Sequence, residues 1–86
     1  MGRQVLRSAT STAANYRAVC RARSRAEFVS KIGVVVEEAD ETVFWLELLV
    51  ETEVVRASQL DSLLKEAHEL LAIFAASQRT ARLAAP

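Results

Sequence analysis

The stretch SRAEFVSKIGVVVEEADETVFWLELLVE, Ser24 to Glu51, decides the fold. Its opening, Ser24 with Glu27 three residues on, has the form of a capping box: the serine oxygen accepts a first-turn N–H and the glutamate reaches back to the cap's own N–H. Only Gly33 interrupts the run that follows. A glycine inside a helix costs about 1 kcal/mol, so Gly33 implies either a close contact or simple tolerance. One helix is therefore predicted over about residues 25–51, roughly 40 Å long at 1.5 Å per residue.

Stepping 100° per residue divides that helix into two apolar faces. Phe28, Ile32, Val35, Val36, Ala39, Val43, Leu46 and Val50 gather on one side and form the predicted intramolecular core. Val34, Phe44, Trp45 and Leu48 fall on the other, with Glu37 and Glu41 among them and Glu38 at the margin. Aromatic residues left bare in this way each expose about 150–250 Å², and a soluble monomer rarely leaves such a patch uncovered. Val34, Glu37, Glu41, Phe44, Trp45 and Leu48 are accordingly the candidate subunit-contact residues; the competing readings are a fourth helix covering this face within a single chain, and a loosely packed monomer with a solvated acidic face and a half-exposed Trp45. Carboxylates flanking aromatic anchors call for arginines opposite them.

The first half of the chain supplies such arginines. Residues 1–36 carry Arg3, Arg7, Arg17, Arg21, Arg23, Arg25 and Lys31 against the single acid Glu27, whereas residues 37–69 carry ten acids against Arg56 and Lys65. The formal net charge of zero thus hides a basic half joined to an acidic half. Such a split either draws nucleic acid to one end or lets the basic surface of one copy meet the acidic surface of another. Arg17, Arg21, Arg23 and Arg25, grouped around the first interhelical turn, are the candidate nucleic-acid contacts.

Outward from the central helix, a first helix is predicted over about residues 3–22, with Val5, Leu6, Ala9, Ala13, Tyr16 and Cys20 recurring at helical spacing as its apolar stripe. Ser8, Ser11 and Asn15 form a polar row beside that stripe, suited to close helix approach or a buried amide hydrogen bond. TEVVRA reads as a connection, and Ser58 with Asp61 as a second capping pair. A third helix then runs over about residues 58–82, with Leu60, Leu63, Leu64, Ala67, Leu70, Leu71 and Phe74 on one stripe. No strand pattern, internal repeat or glycine-rich phosphate loop competes, and the expected fold class is all-α, an antiparallel up-down helical bundle in a single domain over residues 1–86. A chain of 86 residues buries only about 60% of its unfolded surface, so a partner subunit would help to stabilise it.

Chemistry-bearing constellations are thin. Glu38 with Glu41 and Glu66 with Glu69 form two ExxE pairs, which in principle bring four carboxylates to one Mg²⁺ between antiparallel helices. Helical nucleoside-triphosphate pyrophosphatases use a comparable arrangement, but usually with Asp at the position of Glu69. The di-iron pattern Glu-x-x-His is absent, since Lys65 stands three residues before His68. Nothing ties His68 to Cys20 as a nucleophile pair. No catalytic, cofactor-binding or metal residue is assigned. The lone Cys20 fits a reducing cytoplasm, and no apolar run approaches the roughly 20 residues of a membrane span. The Arg- and Ser-rich first 26 residues resemble a transit peptide, but their removal would leave two helices and too little core.

QVLRSATSTAANYRA, SRAEFVSKIGVVVEEADETVFWLELLVE and LLKEAHELLAIF together resemble the four-helix-bundle proteins encoded by intervening sequences of bacterial 23S ribosomal RNA. Arg7, Ser8, Ser11 and Asn15 carry the first signature; Glu27, Phe28, Lys31, Glu38, Ala39, Glu41, Trp45, Leu46 and Leu49 carry the second. The resemblance implies an up-down bundle that assembles into five-membered rings and brings no enzymatic activity. It also implies kinship with the accessory protein of diversity-generating retroelements, which works with a reverse transcriptase and nucleic acid. The family's first helix, expected before Gln4, is absent or cut to Met1 and Gly2, as a shortened gene, a misplaced start codon or a truncated chain would produce.

The expectation from the sequence is a cytoplasmic, non-enzymatic homo-oligomeric scaffold or adaptor, a pentamer by family resemblance. It would take no cofactor and no membrane, and would have a weak nucleic-acid or protein partner. The alternative is a Mg²⁺-dependent all-α nucleoside-triphosphate pyrophosphatase.

Overall fold

The structure, a computed structural model, describes residues 2–52 and 57–83, the side chains of Ala57 and Gln59 excepted. It is all-helical: α1 (Gly2–Val19), α2 (Arg25–Glu51) and α3 (Ala57–Leu83), with no strand among the described residues. Most of the TEVVRA connection lies outside the described residues. So does the residue before Ala57, and Ser58 is already inside α3.

Two local devices separate α1 from α2. The first helix ends at Val19 rather than continuing to about residue 22, because the last backbone bonds tighten from four-residue to three-residue spacing: Arg21 N–H donates to Ala18 O and Ala22 N–H to Val19 O. Ser24, in extended conformation, then caps α2 by accepting from Glu27 N–H at 3.1 Å. The Glu27 carboxylate pairs with Lys31 one turn on, at 2.9 Å. That hydrogen bond is the main reason its carboxyl lies below the ordinary glutamate range; burial opposes the shift, and the Lys31 charge and a backbone hydrogen bond from Arg23 assist it. Glu27 thus reaches back to Arg23, one residue beyond the cap expected from the sequence.

The central helix is the organising element. Both α1 and α3 pack on α2, while among the described residues they do not pack as helices on each other. Their meeting point is a ring contact of Tyr16 on Phe74, with centroids 5.3 Å apart. Around it sits the core cluster of Val19, Ile32, Val35, Ala39 and Phe74, against which Phe28, Val36 and Leu71 pack. Val43, Leu46 and Leu49 continue the buried side of α2. The result is a slab 48 × 21 × 15 Å in extent, with α2 along its middle.

The first helix turns a different side to α2 from the one its apolar stripe suggests. Ser8, not Leu6, is fully buried, and Gln4, Ser11, Thr12 and Asn15 are half-buried beside it. Leu6 is 66% exposed, and Ala9, Ala13, Tyr16 and Cys20 are exposed as well. The physical reason lies in the seam itself. Ser8 Oγ donates to Val5 O at 3.2 Å and receives Thr42 Oγ1 at 3.0 Å, so a small side chain whose hydroxyl is hydrogen-bonded lets the two backbones approach where a leucine would hold them apart. The third helix divides its stripe: Phe74 is buried and Leu60, Leu64, Ala67 and Leu71 are half-buried, while Leu63 and Leu70 remain exposed.

Candidate subunit-contact face

The side of α2 turned away from the core carries an aromatic pair. Phe44 and Trp45 meet edge to face, with ring centroids 5.0 Å apart and planes at 68°. Phe44 is 54% exposed and Val34 42% exposed, whereas Trp45 and Leu48 are half-buried. Adjacent residues on a helix point about 100° apart, so Phe44 stands out from the slab while Trp45 leans over its α1 edge.

The polar neighbours fix that tilt. The Trp45 indole Nε1–H donates to Glu41 Oε1 at 3.2 Å, and the Arg7 guanidinium donates to the same oxygen. An arginine from α1, an acid and an indole from α2 thus form one cluster across 34 residues of sequence. Its charged members are substantially solvent-exposed, so water screens the ion pair and its contribution to stability is below about 1 kcal/mol. Its geometric effect is larger, since it holds the ring in one orientation. Glu41 is therefore engaged by an arginine of its own chain and does not await one from a neighbour, which revises the simple complementarity read from the charge split. Glu37 remains exposed on the same face.

The other residues singled out by sequence are dispersed. Glu38 is half-buried, its Oε2 shielded from solvent and without a hydrogen bond. Glu66 and Glu69 lie exposed on α3, and the His68 imidazole between them stands 3.6 Å from Glu47 of α2. Among the described residues no three His, Cys, Asp or Glu side chains gather where they could hold a metal ion. Cys20 is exposed in the first turn. Arg17, Arg21, Arg23 and Arg25 are all exposed around that same turn. Among the described residues no helix is long and apolar enough to cross a membrane.

Sequence reasoning missed two partnerships. Arg7 was legible as part of a signature, but its pairing with Glu41 was not, and neither was that of Ser8 with Thr42. Both join residues whose separation reflects the path of the chain rather than helical spacing. The polar row on α1 was the only available signal.

Fold and site together define an all-helical module with one long central helix, an ion pair and indole locked across its first seam, and an exposed aromatic edge. The family is then unambiguous. Residues 1–76 match the 23S rRNA-intervening sequence protein family, and the chain belongs to it. It is also similar to a crystal structure of a protein with unknown function from the S23 ribosomal protein family of Bacteroides thetaiotaomicron, at 38% identity with a TM-score of 0.83, over 88% of this chain and 70% of that one. A comparison with curated proteins gives no match.

Proposed function

We propose that the protein is a non-enzymatic, self-associating helical module that serves as a scaffold or adaptor, its copies joined through Val34, Glu37, Glu41, Phe44, Trp45 and Leu48. The carrying observation is the exposed Phe44–Trp45 pair on the outward side of the central helix. A ring locked by Glu41 has already lost its rotamer freedom, so packing a neighbour against it costs little further entropy. A five-membered ring is the assembly that the family resemblance favours. An up-down antiparallel bundle is supported by the contact order: Gly33 lies near Gln78 and Glu47 near His68, while Val19 joins Ile32 and Ser8 meets Thr42.

The test is the particle mass. Light scattering is expected to find an oligomer, and Trp45→Ala to weaken it by about 2 kcal/mol, as loss of a buried aromatic anchor does. A wild-type monomer at micromolar concentration would refute the assignment. Mg²⁺-dependent nucleoside-triphosphate hydrolysis that disappears in Glu38→Gln/Glu41→Gln would replace it with the pyrophosphatase reading. The exposed arginines around the first turn support a basic rim that contacts phosphates without reading sequence, on RNA or on a partner that processes it.

A further inference from the structure

The end of the slab that holds the α1–α2 turn also receives the last turns of α3. Arg25 and Phe28 of α2 line one groove with Ser77, Thr80 and Ala81, Gly33 lies against Gln78, and Tyr16 meets Phe74. Arg79 and Arg82 therefore join Arg17, Arg21, Arg23 and Arg25 at that end, although most of α2 and α3 intervenes in sequence. All six are exposed. Residues 9–36 and 70–83, which build this half of the molecule, hold seven cations and one acid, Glu27, and that acid is paired with Lys31. Acids gather at the opposite end, Glu47 and Glu51 on α2 with Asp61, Glu66 and Glu69 on α3.

Helix ends account for part of the basic cluster. Both α1 and α3 finish here, each C-terminus carries about half a negative charge, and a basic residue in the last turn complements it. Arg17 and Arg82 meet that need. Arg21, Arg23 and Arg79 have no such use and enter no ion pair among the described residues. Like charges held together oppose the compact state, so an external anion would stabilise them.

We propose that these six arginines are one binding surface for the phosphate backbone of a nucleic-acid duplex, an extension that rests on the phosphate-contacting rim proposed for the first turn. Guanidinium suits that ligand, because its planar fork grips two phosphate oxygens at once where an ammonium offers a point charge. The one lysine here, Lys31, is already engaged by Glu27. Spacing favours a duplex. The end of the slab measures 21 × 15 Å, and a duplex carries one charge per roughly 1.7 Å of axis, so that width spans about twelve phosphates, about half of them turned toward the protein. A single strand would call for rings on which successive bases stack, and Tyr16, the nearest exposed ring, is committed to Phe74. Contacts to the backbone position a duplex without reading its sequence.

Anisotropy titrations across salt concentrations test this, with the native protein and a matched RNA duplex, DNA duplex and single strand. A duplex is expected to bind more tightly than the strand, and whichever duplex binds tighter identifies the source as RNA or DNA. Arg79→Gln/Arg82→Gln should flatten the log–log salt slope by about 2, at about 0.9 per lost contact. Particle mass and helicity should stay as in wild type, because both positions are exposed. Arg3→Gln, at the acidic end, should leave the slope unchanged. A slope flattened by Arg21→Gln/Arg23→Gln and untouched by Arg79→Gln/Arg82→Gln would overturn the proposal and leave the first-turn rim standing. No binding of any of the three at low salt would remove both. Tighter binding of the single strand would also overturn it, as would a smaller particle on loss of Arg79 and Arg82, which would assign those arginines to a subunit contact.

Discussion

Replacing Ser8 by leucine should be among the most damaging single changes in the protein, although leucine is the better helix former and the position lies on an amphipathic helix. Ser8 is 0% exposed and sits against Thr42 at 3.0 Å. Three additional carbons have no space there, and overpacking of a fitted contact costs about 1–3 kcal/mol. The seam must open for them to fit, which also separates Arg7 from Glu41. Ser8→Ala, by contrast, removes a hydroxyl without stranding one, because Thr42 Oγ1 also lies 2.9 Å from Glu38 O; the expected loss is about 0.5–1 kcal/mol. Urea unfolding followed by helical circular dichroism and Trp45 fluorescence, at a concentration where the chain is monomeric, measures both. The control is Leu6→Asp, at the centre of the apparent apolar stripe, expected within about 0.5 kcal/mol of wild type because the position is exposed. If Leu6→Asp unfolds the protein while Ser8→Leu is silent, α1 presents its stripe to α2 and the seam described above is wrong.

Other expectations follow from single contacts. A Cβ at Gly33 would stand 3.1 Å from Gln78 Nε2, the movable end of a long side chain, so Gly33→Ala should recover part of the roughly 1 kcal/mol helix penalty and raise the thermal midpoint; a lowered midpoint would mean that Gln78 is held rigidly. Glu27 has its carboxyl held below its ordinary value by Lys31, so its stabilising effect is present above the unfolded pKa and fades as pH falls through the lower folded one. Glu27→Gln should therefore flatten the acid limb of a stability–pH profile and leave the neutral-to-basic limb parallel to wild type, as read by thermal melts across that range. For the basic rim, RNA binding by the native particle should weaken steeply with salt, and Arg21→Gln/Arg23→Gln should flatten that slope, each lost phosphate contact removing about 0.7 from it on a single strand; a salt-independent affinity would exclude a phosphate-binding rim.

What could be read from sequence was the division of α2. Ile32, Val35, Ala39 and Leu46 are buried and Val34 and Phe44 exposed because side-chain direction along a helix repeats every 3.6 residues, whatever surrounds it. The cap at Ser24 is similarly local, made by atoms three residues apart. The resemblance to the family drew on the same local patterns and on the signature residues. Only tertiary structure decided which side of α1 meets α2. Two stripes on that helix competed, one apolar and one of small polar residues, and periodicity weighs them by hydrophobicity alone. Ser8 won because its size admits close backbone approach and because Val5 O and Thr42 Oγ1 satisfy its hydroxyl, conditions that exist only when the second helix is in place. The pairing of Arg7 with Glu41, and the trough left by α1 and α3, follow from that choice: once the polar row faces inward, the apolar stripe is left on the surface.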